Sequence, residues 1–396
     1  MNMSASAERS EAGFRLADPV GLDESHRMLR EQVRRFVEKE IVPHADAWER
    51  EGKIPRALFR RMGDLGFLGM QHEEASGGTE MGAMASVIFG EELSRSGFGG
   101  VTSSVTVHTD MSACHITRVG TPEQKAKWLP DLISGRKVCA IGVTEAGAGS
   151  DVAGIRTRAV RDGDHWVING TKMFITNAVY GDLLILAART SGPETGARGL
   201  SLFIVPTDTP GFKVAAKLEK HGWLCSDTAE LVFEDMRVPA QNMLGEENRG
   251  FYAIMRGFEH ERLMIGSFCS GESSRALELT LDYVRTRRAF GKTLWEQQVV
   301  RQKLAELASR VALIRALTYQ TAATLDAGRP ASIETAMIKS VGPEILHDVV
   351  HGCLQLHGGT GYMRGTPIER MARDARILRI GGGATEVMLE EVAKRI

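Results

Sequence analysis

CAIGVTEAGAGSDVAGIRTRAVRDGDHWVINGTKMFITN, residues 139–177, is the stretch on which the reading of the whole chain turns. Ala140 to Thr144 is a short apolar run of strand character that breaks into a glycine-rich turn, Glu145 to Ser150. Gly147 and Gly149 carry no Cβ, so the backbone there can take φ > 0 and let a planar or anionic ligand come close. Thr144 and Ser150 bracket the turn with hydroxyls that can donate and accept. A hairpin is expected to turn at Asp162-Gly163-Asp164. Met173 to Thr176 reads as the next strand, with Phe174 and Thr176 two residues apart and so on one face. Two generic phosphate motifs fail. The turn ends Ser150-Asp151, not the Lys-Ser/Thr of a P-loop, and Val152 stands where a dinucleotide fingerprint needs Gly or Ala. Taken alone, a glycine turn between strands is an ordinary loop more often than a ligand site.

The rest of the chain sets bounds. Its 396 residues are enough for two or three domains, with 43% hydrophobic and 25% charged residues. A net charge of −1 gives no basic excess for nucleic acid or a membrane surface. Five scattered cysteines without a CxxC suggest neither a disulfide framework nor a zinc site; they read as small buried hydrophobes in a reducing compartment. The N-terminus lacks an apolar h-region, and no run approaches a membrane span, so a cytoplasmic location is expected. Residues 1–20 read as a loose tail.

Outward from the quoted stretch, the hydrophobic period changes twice. Before it, helices fit residues 24–49 with an interruption at Pro43, then 55–65, 84–97, 101–119 and 121–134, the last begun by a capping-type Thr121-Pro-Glu-Gln124. Short strands then fit 141–144, 155–161, 165–169, 172–176, 182–190, 199–206, 212–216 and 229–238, a small β-domain of two packed sheets or a barrel. After it, long helices fit 250–286, 294–325, 332–356 and 385–396. The expected fold class is α+β, with helical residues 21–138, a β-domain over 139–245 and a helical bundle over 246–396.

Five linked motifs carry a family resemblance. VTEAGAGSD (143–151), NGTKMFITN (169–177), RRAFGK (287–292) with Gln298, LQLHGGTGY (354–362) and RDARILRIGGGATEVM (373–388) resemble, in order and spacing, those of the flavin-dependent acyl-CoA dehydrogenases. The resemblance implies an N-terminal helical domain, a middle β-domain and a C-terminal four-helix bundle, assembled as a homotetramer (a dimer of dimers) with FAD between the β-domain and the bundle. It puts Ile141, Val143, Thr144, Phe174, Ile175 and Thr176 against the flavin, with Phe174 where Trp is common. It carries Arg287, Phe290 and Gln298 to a neighbouring subunit's FAD, with Gln355, Leu356, Gly358 and Gly359 approaching the same cofactor. Ala384, Thr385 and Glu386 fit a cofactor-side position. Ser150, Glu259, Arg262, Gly382 and Gly383 are implied on the substrate side.

The chemistry of such an enzyme needs a base for the α-proton, an acceptor for the β-hydride and donors to a polarised thioester oxygen. Many relatives carry the base in a Tyr-Glu-Gly-Thr loop; here that loop reads Gly381-Gly-Gly-Ala384, and Gly382 offers only its backbone N–H, half of an oxyanion hole. A second branch, resembling isovaleryl-CoA and long-chain enzymes, puts the base in a Glu-Arg-Leu pattern on a helix. FEHERLMIG at 258–266 places Glu261 there, with Glu259 as runner-up. The expected reaction is oxidation of an acyl-CoA to a trans-2-enoyl-CoA, favouring branched, medium or long chains, with electrons passed to an electron-transferring flavoprotein. A carrier-protein thioester as substrate, and a flavin oxidase or monooxygenase of the same fold, are the alternatives.

Overall fold

The computed structural model describes residue 14 and residues 16–396, so most of the expected tail lies outside the described residues. Helix α1 (Glu24–Phe36) starts where Asp23 accepts a hydrogen bond from His26 N at 2.9 Å, and it buries Leu29, Val33 and Phe36. Pro43 does not break the helical run. A π-helical segment, Val37–Ile41, absorbs the mismatch, and the proline falls in the first turn of α2 (Val42–Glu51), where a missing N–H costs nothing. There follow α3 (Arg56–Asp64), α4 (Gly82–Ser94), α5 (Gly99–Thr106), α6 (Cys114–Val119) and α7 (Pro122–Ile133). The single helix expected over 101–119 is divided by a second π segment, Val107–Ala113. The capping box at Thr121 and Gln124 forms as read.

The period-2 region forms β1 (Cys139–Gly142), β2 (Arg158–Asp162), β3 (His165–Thr176), β4 (Leu183–Arg189), β5 (Leu200–Pro206), β6 (Phe212–Lys217), β7 (Thr228–Pro239) and β8 (Met243–Leu244). Neither two separate sheets nor a closed barrel describes it. One hydrogen-bonded path runs β6-β7-β3-β2-β4-β5-β8, and β1 pairs with β4 in parallel. The path doubles over itself. Leu184, Leu186, Phe203 and Val205 of β4 and β5 share a core with Trp166, Ile168, Leu231 and Phe233 of β3 and β7. On the opposite face, Leu183, Ile185, Leu202 and Ile204 pack on Trp128, Leu129 and Leu132 of α7. Burial on both faces is why residues 183–188 read as a continuous apolar run rather than an alternation.

Strand β3 is one strand where the sequence suggested two. Gly170 sits at φ +147°, and a Cβ there would lie 2.7 Å from Thr157 Cα, so only glycine carries the chain through at this point. A second register shift, between Lys172 and Ile175, puts Phe174 at φ +64°. This bulge adds a residue to the strand and turns Phe174 outward while Ile175 enters the core.

Helix α8 (Gly250–Thr286) is 37 residues long. A hairpin of β9 (Arg288–Ala289) and β10 (Lys292–Thr293) follows, turned on Phe290 at φ +53° and Gly291 at φ +80°. After it come α9 (Gln298–Asp326), α10 (Ser332–His357), α11 (Gly359–Tyr362), α12 (Pro367–Asp374) and α13 (Thr385–Ala393). The expected four-helix C-terminal region consists of long α8, α9 and α10 with short α13 against α10. Helix α4 packs on both α8 and α9, and Asp326 accepts from Ala83 N (2.6 Å) and Met84 N (2.9 Å), closing the start of α4. The two helical regions therefore share one core. The five cysteines are free and buried, and no helix among the described residues is long and apolar enough to cross a membrane.

A buried pair locks the glycine turn to β3. Lys172 Nζ donates to Val143 O at 2.9 Å and to Glu145 Oε1 at 2.8 Å, while Glu145 also accepts from Arg156 N (2.7 Å) and Thr157 N (2.9 Å). Burial pulls the ammonium down to about 8, against the opposing pull of Glu145. Replacing Lys172 by Met leaves a buried carboxylate without its counter-charge, at a cost of roughly 3 kcal/mol. Thermal unfolding of Lys172→Met is expected to begin well below the parent. The double variant with Glu145→Gln should recover part of the loss, and equal melting of the single variant and parent would contradict this account.

Candidate active site

The fourth turn of α8 carries Glu261 into the interior, where it is 4% exposed among Leu263, Met264 and Ile265. Burial pushes its carboxyl up to about 7, opposed by the charges of Arg262 on the same helix and Lys339 on α10. A turn with two left-handed glycines faces it: Gly382 at φ +67° and Gly383 at φ +100°. A Cβ on Gly382 would stand 2.5 Å from Glu261 Oε1 and 3.2 Å from Ile265 Cδ1. The carboxylate therefore occupies the space that any side chain at 382 would need. Lys339, fully buried, donates to Leu378 O at 2.8 Å and Gly383 O at 2.6 Å, on either side of this turn. Ala384, Thr385 and Glu386 continue from the turn into α13, with Glu386 exposed in its first turn.

The neighbour of Glu261 is anchored too. His260 Nε2 lies 2.8 Å from Asp110 Oδ1, and Gln71 Nε2 donates to the same oxygen at 3.1 Å. Asp110 belongs to the π segment Val107–Ala113, which turns both it and Thr109 inward; Thr109 Oγ1 donates to Asp110 Oδ2 at 2.5 Å. Glu259, implied on the substrate side, is placed elsewhere: its Oε1 accepts from Ser332 Oγ (2.8 Å) and Ala331 N (3.3 Å) at the start of α10. These bonds tether the start of α10 to α8. Arg262 lies half-buried beside Phe258, its Nε without a protein partner.

The quoted stretch forms a platform next to this helix. Val143 is buried and Ile141 partly so, both in the cluster that includes Ile254 and Phe258 of the first turns of α8. Thr144 O accepts from Met173 N at 2.9 Å, which ties the start of the glycine turn to the bulge of β3. Phe174 is 65% exposed, Ile175 is buried and Thr176 is half-buried. Gly147 and Gly149 do not use the freedom that glycine allows: neither has a positive φ. A Cβ on either would meet nothing within 4 Å, so their contribution is an open backbone edge and not a special conformation. Ser150 is exposed at the end of that edge. An aromatic held outward on strained backbone, hydroxyls at 144 and 176, and an unobstructed turn fit a flat, hydrogen-bonding ligand such as a flavin.

The remaining residues assigned to the cofactor gather at the other end of α8. Arg287 is exposed just beyond the helix, and Phe290, at the hairpin tip, is 98% exposed. Gln298 is exposed at the first turn of α9. Tyr283 stacks on His357 at 4.3 Å between centroids, bringing exposed Gln355, Gly358 and Gly359, with half-buried Leu356, to the same end. His357 is thus a packed residue at the end of α10. From Glu261 to Arg287 the helix rises roughly 39 Å at about 1.5 Å per residue. The platform and this group thus lie toward opposite ends of α8. Sequence reasoning missed Lys172, Lys339 and the Asp110–His260 pair. A lysine in an apolar pattern carries no sign of burial, and nothing in the spacing of Asp110 and His260 tells that they meet.

Comparison with known proteins agrees with this architecture. Residues 23–136, 140–236 and 248–396 match, respectively, "Acyl-CoA dehydrogenase, N-terminal domain", "Acyl-CoA dehydrogenase, middle domain" and "Acyl-CoA dehydrogenase, C-terminal domain". The chain is 39% identical over 372 residues to the mitochondrial long-chain specific acyl-CoA dehydrogenase of Rattus norvegicus, covering 94% of this chain and 86% of that protein. It superposes with TM-score 0.91 on the crystal structure of acyl-CoA dehydrogenase from Geobacillus kaustophilus, 40% identical over 96% of this chain and 99% of that one. A glutaryl-CoA dehydrogenase from Mycobacterium smegmatis in complex with FADH2 gives TM-score 0.89 at 31% identity, covering 94% of this chain and 95% of the other. The helix–sheet–helix order, the motifs and these matches over nearly the whole length lead to one conclusion: the chain belongs to the acyl-CoA dehydrogenase family and is an acyl-CoA dehydrogenase.

Proposed function

We propose that Glu261 is the base of an α,β-dehydrogenation of acyl-CoA thioesters in which FAD, held on the Val143–Thr144 and Phe174–Thr176 platform, takes part. The observation that carries this reading is the buried contact between Glu261 and the bare backbone of Gly382. A carboxyl kept from water, with a proton affinity near neutrality, matches the task of taking an α-proton. Charge then develops on the thioester oxygen, and the Gly382 N–H, which no side chain at its own position obscures, is the donor proposed to face it. Arg262 remains beside the base as a fixed positive charge. Bound FAD would supply the acceptor for the β-hydrogen.

The separation of the two residue groups along α8 supports an assembly in which Arg287, Phe290 and Gln298 of one chain complete the cofactor site of another, as in the homotetramer that the family resemblance implies. An Arg fork suits a pyrophosphate, and an aromatic at 98% exposure needs a partner surface. Because Gly382 leaves room beside the base, branched, medium or long acyl chains are the proposed substrates. An electron-transferring flavoprotein is the proposed electron acceptor.

Anaerobic mixing of the yellow holoprotein with a panel of acyl-CoAs tests the assignment. Glu261→Gln should retain FAD and lose bleaching of the flavin band by about a thousandfold or more; full bleaching by that variant would refute the role. Since the base works as a carboxylate, the reduction rate should rise with pH and reach half its plateau near the value of about 7 that burial gives this group. A rate already flat from pH 5 upward would contradict that. Gly382→Ala should also slow reduction at unchanged FAD content, because its methyl group displaces the Glu261 carboxylate.

A further inference from the structure

Lys339 is a buried charged side chain next to the proposed reaction centre that the chemistry above does not use. It lies on α10, fully buried, and it is among the largest side chains of the interior. An ammonium in such a place is costly unless its protons are bonded. Here it donates to Leu378 O at 2.8 Å and Gly383 O at 2.6 Å. Those two carbonyls flank the turn on which Gly382 meets Glu261, and two of its three glycines, Gly382 and Gly383, are left-handed. Left-handed glycines have high conformational freedom when unfolded, so a turn built on them holds one shape only if something outside it does the holding. The neighbouring contacts are tight. A Cβ on Gly383 would come within 2.9 Å of Met388 Cε, and one on Gly382 within 2.5 Å of Glu261 Oε1. A shift of the turn by a fraction of an ångström would therefore move the carboxylate or open a gap beside it.

Lys339 also faces the base electrically. The charged groups acting on Glu261 are Arg262 from its own helix and Lys339 from α10, and the Cys114 thiol of α6 stands in the field of Glu261. On the lysine itself, burial opposes the charge while Cys269 and Glu261 support it. Burial lowers the proton affinity of Arg262, while the charges of Glu261, Glu391 and Glu259 support its cation. Lys339 has no carboxylate partner among the described hydrogen bonds; its bonded acceptors are the turn's two carbonyls.

We propose that Lys339 is a positioning residue for the dehydrogenation: by bonding Leu378 O and Gly383 O it fixes the Gly382 turn against Glu261 and places a positive charge beside the base. This rests on Glu261 being the base. The inference adds a third element, α10, to a reaction centre otherwise built from α8 and the turn before α13.

The test uses the full-length FAD-loaded protein in anaerobic single-turnover reduction by a saturating acyl-CoA, followed against pH. Lys339→Met removes charge and tether; Lys339→Gln keeps a short polar group and serves if Met fails to fold. Either variant should bind FAD in the parental ratio and reduce it on the order of tenfold more slowly at neutral pH. The midpoint of its rate–pH curve should move upward, since without the neighbouring cation Glu261 holds its proton to higher pH. A purely structural role would lower stability and leave that midpoint in place. Parental rate and midpoint in a folded variant overturn the proposal. Glu261→Gln run alongside separates the two failures: if it is inactive while the Lys339 variants behave as parent, only the positioning role falls. If it reduces flavin fully, the base assignment falls and takes the positioning role with it.

Discussion

A carboxylate and a backbone compete for one small volume between α8 and the loop before α13. Glu261 fills it because residue 382 is glycine. The local structure is consistent with that contact. The left-handed turn needs glycines, the buried acid needs a neighbour that takes nothing from it, and a lysine bridges the turn's carbonyls from a third helix. Desolvation decides the acid's proton affinity, since it outweighs the two nearby cations and leaves the group near neutrality. A buried acid with a raised proton affinity is costly to the fold, and such groups cluster at functional sites.

Much of this could be read from the chain before any coordinates. The period changes gave the helix–strand–helix order because each region is long enough for its apolar spacing to dominate. The helix carrying Glu261 was legible because FEHERLMIG lies in an unbroken 3.6-residue pattern. What stayed hidden falls into two kinds. Some features depend on one extra residue: the π segments at 37 and 107 and the bulge at Phe174 shift the phase of a pattern without changing its composition. Others depend on contacts between distant parts of the chain. Lys172 and Lys339 look like surface lysines, and Glu259 looks no different from Glu261 until one is seen to hold the start of α10. The glycine turn is open as its composition allows, yet Gly147 and Gly149 do not adopt the positive φ that glycine permits.

The β-region shows the same limit at the level of architecture. Alternation identifies strands and their faces, yet the doubling of one sheet over itself depends on which strands meet. A single bridge between Arg158 and Arg189 joins the two halves of the path. The apolar run at 183–188 was the one available sign, since a strand with no polar face must be covered on both sides.

Helix α8 spans roughly 55 Å at about 1.5 Å per residue. It carries the acid near its start, and Arg287 follows just beyond its end. In an assembly where that far end serves a neighbouring chain, every subunit is both an owner and a lender of active-site parts. Damage to the two ends would then not be equivalent to damage twice at one site. Chains lacking the acid and chains lacking the arginine, mixed as subunits, would form some sites with both defects and some with neither. Two inactive proteins could in this way yield partial activity on mixing, and the rigidity of one helix sets how the parts are shared.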